Sequence, residues 1–121
     1  MVAVGEIVHF YRHEAGKAKF YLCVSRHGHF VYLNTHRKRR AGSFVVDCSR
    51  LPLDPSDTGK SEVSCTKVMK FSDGQLTRFK AKPFGRVDKA FLMDLVEFAE
   101  TCDALSPEDA EHLIDGISEA V

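Results

Sequence analysis

The segment from Lys17 to Thr35 has the pattern of two β-strands joined by a short turn. Its first arm, residues 18–26, contains the uninterrupted apolar run Phe20–Val24, which is typical of a strand buried on both faces. The sequence Arg-His-Gly-His at residues 26–29 supplies the turn. The second arm, His29–Thr35, alternates between two faces. The pattern predicts a central antiparallel hairpin around which the rest of the chain packs.

Further strands are predicted on both sides of this hairpin. Apolar alternation predicts a first strand over residues 4–11, a fourth over 43–48 and a long one over 61–71. Residues 51–60 contain two prolines and a glycine, so we expect an exposed excursion there. The dipeptide Asp73-Gly74 predicts a turn, residues 75–82 a last strand, and Pro83-Phe84-Gly85 the end of the β part.

Two helices are predicted after the strands. Asp88 is a suitable N-cap for an apolar stripe at helical spacing that includes Phe91, Leu95 and Phe98. Ser106 and Pro107 then open a second helix. Strands followed by helices indicate an α+β domain over residues 1–121, with a small, strongly bent antiparallel sheet or barrel (1–82) capped by a helical hairpin (88–119).

Composition excludes several classes of protein. No apolar run approaches the roughly 20 residues that a membrane helix needs, and no secretory leader is recognisable, which predicts a cytoplasmic protein without membrane contact. The four cysteines are widely spaced inside apolar patterns, with no metal-binding spacing. We therefore expect buried free thiols, no metal site and no cofactor.

The net charge of zero hides a segregation of charge along the chain. Residues 1–90 hold all 17 Lys and Arg with 8 Asp and Glu, whereas residues 91–121 hold 9 Asp and Glu and no Lys or Arg. The basic body, and above all the run Arg37-Lys38-Arg39-Arg40, favours binding of a polyanion. The acidic helices either face solvent or lie against the basic loop and restrain binding there.

The order of these segments resembles the MazF/PemK-type toxins of bacterial toxin–antitoxin systems. The opening Val-Gly-Glu-Ile-Val, the strand Lys19–Ser25, and the strand Phe30–Thr35 that ends in Thr are similar to the corresponding strands of that family. So are residues 61–68, Gly85-Arg86-Val87 and the Leu105-Ser106-Pro107 corner. The resemblance implies an SH3-like barrel of the CcdB/MazF type with a C-terminal helix.

The same resemblance implies a function. Proteins of this family are endoribonucleases that cleave single-stranded RNA without a metal, are usually homodimers, and are neutralised by a cognate antitoxin. It also implies that an Arg at the start of strand two and the Thr at the end of strand three carry catalysis. This chain keeps the Thr as Thr35 but has Lys19 in place of the Arg and Phe20 in place of its Pro neighbour. Lysine offers a point charge where arginine offers a planar fork matched to phosphate.

The resulting candidate site combines phosphate binding with proton transfer. Lys19 and Thr35 are predicted to hold the phosphate, and His36 is the first candidate for proton transfer. The predicted RNA-binding cations are Arg26, Arg37, Lys38, Arg39 and Arg40.

An alternative function remains open at this point. The substitution at Lys19-Phe20 also fits a catalytically inactive SH3-like barrel that binds nucleic acid or a protein partner, since four cations in a loop bind any polyanion. The plainest alternative is that Thr35 only ends a strand, Lys19 is a solvated strand-edge lysine, and His27 and His29 are turn residues.

Overall fold

The fold is a six-stranded antiparallel sheet followed by two helices, in a computed structural model that describes residues 2–55 and 57–121. The strands are β1 (Glu6–Arg12), β2 (Lys17–Ser25), β3 (His29–Thr35), β4 (Ser43–Asp47), β5 (Lys60–Lys70) and β6 (Lys82–Arg86). The helices are α1 (Asp73–Arg78), α2 (Lys89–Glu100) and α3 (Pro107–Ala120), and a short 3₁₀ turn covers Cys48–Arg50. The predicted α+β class is confirmed.

The predicted central hairpin forms, and β1, β2 and β3 are an antiparallel meander as expected. Tyr21 pairs with Tyr32 and Phe20 with Leu33, so these two pairs face opposite sides of the sheet. The strand order is β4-β5-β3-β2-β1-β6, and three of the strand pairs contain register shifts that bend it. Within residues 2–55 and 57–121 no pairing joins β4 to β6, so the sheet is not closed into a complete barrel.

The segment after β5 differs from the prediction. A turn and a strand were expected over residues 73–82, but residues 73–78 form α1, whose N-cap Ser72 and N3 residue Gln75 make a reciprocal capping box. The prediction that Pro83-Phe84-Gly85 ends the β part is also wrong, because these residues lie within β6. Proline is tolerated there because β6 is an edge strand, paired with β1 on its inner side.

The sheet buries a separate apolar cluster on each face. One face, here called the helix face, packs Ile7, Leu22, Val31 and their neighbours against α2 and α3. The other, here called the α1 face, packs eight buried residues that include Leu76 of α1: Val8, Phe10, Tyr21, Cys23, Phe30, Met69, Phe71 and Leu76. Because α1 is short, it leaves the end of this face near Tyr32 partly exposed.

The two C-terminal helices start where the sequence predicts. Asp88 caps α2 by accepting from the Phe91 amide, and Ser106 caps α3 by accepting from the Asp109 amide. Leu113 and Ile117 of α3 are fully buried against the sheet. No helix among the described residues is long and apolar enough to cross a bilayer.

All four cysteines are free, which confirms the prediction. Cys23, Cys48 and Cys65 are buried and Cys102 is partly buried. Burial raises the pKa of the Cys65 thiol to about 12 and that of Cys23 to about 11. These two thiols are therefore inert at neutral pH, since the thiolate is the reactive form.

Candidate functional site

A buried carboxylate lies beside the predicted catalytic histidine. Glu62 of β5 is only 3 % exposed, and its Oε1 lies 3.1 Å from Nδ1 of His36. Its other oxygen, Oε2, accepts a hydrogen bond of 2.8 Å from the Ser43 hydroxyl of β4. Both carboxylate oxygens therefore have a partner, as a buried acid requires.

This contact favours one tautomer of the His36 imidazole. A glutamate carboxylate accepts hydrogen bonds, so this contact favours the tautomer that carries its proton on Nδ1, towards Glu62. Nε2 is then the ring nitrogen left to accept or donate a proton elsewhere. The backbone holds the residue in place as well, because the His36 amide donates to the Lys60 carbonyl and the His36 carbonyl accepts from the Thr58 hydroxyl.

The basic loop follows directly and lines an open groove at the β4 edge of the sheet. This groove, here called the basic groove, has a volume of about 760 Å³ and is lined by His36, Arg39, Arg40, Ala41, Gly42, Ser43, Phe44, Val45 and Phe98. Arg37 forms a 3.0 Å ion pair with Asp57, whereas Lys38, Arg39 and Arg40 make no ion pair with any residue that the structure describes. Two unpaired cations thus share the groove with the oriented histidine.

Lys19 lies on the α1 face, beside Tyr32. Its ammonium sits 4.4 Å from the centroid of the Tyr32 ring, a cation–π contact. Burial lowers the pKa of Lys19, and the nearby charges of Lys17 and Arg40 lower it further.

Thr35 lies on the opposite side. Residues of a strand alternate between faces, so Thr35 shares the helix face with Leu33 and Phe20, whereas Lys19 shares the α1 face with Tyr32. Thr35 lines a different cavity, of about 380 Å³. The structure brings His36, Arg39 and Arg40 together in the basic groove, but Lys19 is not among the residues found to line it. Nor does the structure bring Lys19 and Thr35 to one point.

Arg26 is also remote from the loop. It follows the end of β2, whereas Lys19 lies near the start of that nine-residue strand. Its Nε lies 3.7 Å from the Glu119 carboxylate of α3. Among the described residues this is the one ion pair between the predicted RNA-binding cations and the acidic helices, since none of the four loop cations pairs with an acid of α2 or α3.

Sequence reasoning missed Glu62 and Ser43. The available signal was Glu62 itself, the one acidic residue inside the predicted strand 61–71 of an otherwise basic body. A charged residue in a buried strand is rare unless it is paired, so its partner could have been sought. The partner could not be identified, because Ser43 and His36 are 19 and 26 residues away.

Comparison with known proteins found no family model, no curated protein and no solved structure that matches this chain. Among residues 2–55 and 57–121, no group of three or more His, Cys, Asp or Glu side chains is placed to hold a metal ion.

Proposed function

We propose that this protein binds single-stranded RNA in the basic groove and cleaves it without a metal or other cofactor, with His36 as the proton-transfer residue. The observation that supports this most is the 3.1 Å contact between His36 and buried Glu62, which orients the imidazole at the wall of a groove containing Arg39 and Arg40. An oriented base beside unpaired cations is what phosphodiester cleavage by the ribose 2′-hydroxyl needs.

The proposed reaction conserves atoms and charge within the RNA. Nε2 of His36 takes the proton of the 2′-hydroxyl, whose oxygen attacks the adjacent phosphorus while the bond to the 5′-oxygen breaks. The products are a 2′,3′-cyclic phosphate and a 5′-hydroxyl. Arg39 and Arg40 stabilise the charge that develops on the phosphate oxygens.

The departing 5′-oxygen needs a proton, and Lys19 is our candidate donor. A lowered pKa makes its ammonium a stronger acid than an exposed lysine. The charge of Arg40, a residue of the basic groove, is one of the causes of this lowered pKa. We do not assign Thr35 to the same phosphate, because it lies on the helix face.

The wider proposal follows the resemblance to MazF/PemK-type toxins. The antiparallel sheet with C-terminal helices is consistent with a small SH3-like barrel of that type. On this proposal the protein is a cytoplasmic homodimer that a cognate antitoxin neutralises. A second candidate function, an inactive binding module, is favoured by the position of Lys19 over the Tyr32 ring, since an ammonium engaged there is drawn away from a substrate phosphate.

The test is incubation of the purified protein with a long unstructured RNA in EDTA, followed by end analysis of the products. We expect discrete cleavage with 2′,3′-cyclic phosphate ends for the natural chain. His36→Gln should lose this activity. His13→Gln, which removes an exposed imidazole in the β1–β2 turn, should keep it.

Three results would count against parts of the proposal. Intact RNA that nevertheless shifts in a gel would favour the binding module. Cleavage retained by His36→Gln would remove His36 from the reaction. Cleavage that appears only when Mg²⁺ is added would contradict the metal-independent mechanism.

A further inference from the structure

The cavity beside Thr35 has the features of a binding site for a flat, uncharged group. Its volume of about 380 Å³ is within the range of small-molecule sites. The walls include Phe20, Leu33 and Phe84, and the polar groups at the rim include Thr35 and Asp54. No lysine or arginine lines it, in contrast to the basic groove.

Two phenylalanine rings give this cavity an aromatic corner. Phe20 and Phe84 meet edge to face, with ring centroids 5.2 Å apart and planes at 85°. Phe84 is 43 % exposed although it is large and apolar, so part of its surface is open to a ligand. Its ring also meets the His9 ring edge to face, with centroids 5.4 Å apart. A planar ring that stacks on Phe84 would meet Phe20 at its edge, which is a favourable aromatic arrangement.

The polar residues at the rim can form hydrogen bonds to an uncharged ligand. No hydrogen bond of the Thr35 hydroxyl is found among the described residues, so it can donate to or accept from a ligand. The Asp54 carboxylate accepts hydrogen bonds and repels anions. A phosphate is therefore disfavoured in this cavity. A base with an exocyclic amino group, which offers two N–H donors, is favoured over uracil, which offers one.

The location connects this cavity to the proposed site of cleavage. Thr35 is the last residue of β3 and His36 follows it directly. Thr35 lines this cavity, whereas His36 lines the basic groove. An RNA strand that passes over this end of the sheet can place a phosphate near His36 and an adjacent base near Thr35.

We propose that the cavity lined by Phe20, Phe84, Thr35 and Asp54 binds one nucleobase of the RNA, and that it prefers bases with an exocyclic amino group over uracil. This inference rests on the proposed RNA-binding function but concerns a separate cavity. It assigns Thr35 to base recognition, and it gives the exposed Phe84 ring a role in stacking.

The first experiment measures binding of labelled single-stranded decamers by fluorescence anisotropy. Phe84→Ala should weaken binding of an oligoadenylate by roughly 5- to 150-fold, the range for loss of one base–aromatic stack. Tyr11→Ala should stay within about twofold. It is the matched control, since Tyr11 is a 54 % exposed aromatic residue of β1 that does not line the cavity.

An abasic decamer with the same phosphates separates stacking from charge. The natural chain and Phe84→Ala should bind this backbone equally. Asp54→Asn should narrow the difference in affinity between oligoadenylate and oligouridylate. If Phe84→Ala binds oligoadenylate like the natural chain, or weakens abasic and base-containing RNA alike, the cavity does not read a base.

Free nucleosides distinguish failure of this inference from failure of the proposed function. Adenosine and cytidine, added to ¹⁵N-labelled protein at millimolar concentration, should shift the amide signals of Leu33, Thr35 and Phe84 more than uridine does. Such shifts in a protein that cleaves no RNA would support nucleobase binding in this cavity and overturn only the catalytic proposal. RNA cleavage without any nucleoside-induced shift would support the catalytic proposal and overturn the nucleobase site.

Discussion

Nδ1 of His36 and Oε1 of Glu62 lie 3.1 Å apart. This contact joins the residue that follows β3 to a buried acid of β5. The Ser43 hydroxyl on the second oxygen completes the group. A buried carboxylate loses its hydration, so hydrogen bonds from both neighbours are needed to offset that cost. The arrangement makes the orientation of His36 depend on Glu62.

We predict that Glu62→Gln lowers RNA cleavage by about tenfold or more with RNA affinity nearly unchanged. Glutamine keeps the size of the side chain but removes the charge that favours the Nδ1–H tautomer. Single-turnover rates and a pH–rate profile are the measurements. A merely structural role would lower both affinity and unfolding midpoint while leaving the shape of the profile unchanged.

The two unpaired cations of the basic groove should set the salt dependence of RNA binding. Arg39→Ala and Arg40→Ala should each reduce the slope of log affinity against log salt by about 0.7, the value for one phosphate contact on a single strand. Arg78→Ala removes an equal charge from an exposed position of α1 and serves as the control. Equal slopes for all three variants would show that net charge, and not the groove, attracts RNA.

The central hairpin and both helix starts could be predicted because each depends on local pattern. Phe20–Val24 is apolar throughout, and the hydroxyl of Ser106 before Pro107 is an N-cap signal that needs no distant partner. The capping box of α1, Ser72 with Gln75, was visible by the same reasoning, but the Asp73-Gly74 pair favoured a turn.

The site could be predicted only in part. The loop cations and His36 stand next to one another in sequence, so their proximity needs no knowledge of the fold. Glu62 joins them only through the pairing of β5 with β3, which depends on long-range register. The separation of Lys19 from Thr35 depends on register too, since one residue of shift exchanges the faces.

Stability should fall in mild acid because of a histidine at the start of β3. His29 is 8 % exposed, its ring stacks on His112 with centroids 4.2 Å apart, and its Nδ1 has no partner in the described structure. Burial lowers its pKa, the charges of His112, Lys70 and His27 lower it further, and Asp109 opposes them. The unfolded chain therefore binds a proton more readily than the folded one.

The sign of this effect is fixed by proton linkage. The stability that depends on neutral His29 is fully present above the unfolded-state pKa of about 6.5. It is lost as the pH falls below that value. Urea unfolding at pH 7.5 and 5.0 should show a smaller loss for His29→Gln than for the natural chain. His13→Gln, at an exposed turn position, should behave like the natural chain. Parallel losses in all three proteins would exclude His29 as the cause.

Gly116 in the middle of α3 should respond to alanine in the opposite way from Gly74 in α1. A Cβ at Gly116 would collide with the Val24 carbonyl oxygen and lie 2.7 Å from the Ser25 Cβ, so the helix would have to move off β2. Overpacking of this kind costs about 1–3 kcal/mol, which exceeds the gain of about 1 kcal/mol from replacing glycine in a helix.

At Gly74 the nearest atom to an added Cβ is the Ser72 hydroxyl oxygen at 3.8 Å, an ordinary contact. Gly74→Ala should therefore stabilise the protein by about 0.5 kcal/mol through helix propensity alone. Urea midpoints of the two variants measure the difference directly. A Gly116→Ala protein as stable as the natural chain would mean that α3 does not pack on β2 as closely as described, and the ion pair of Glu119 with Arg26 would then lose its support as well.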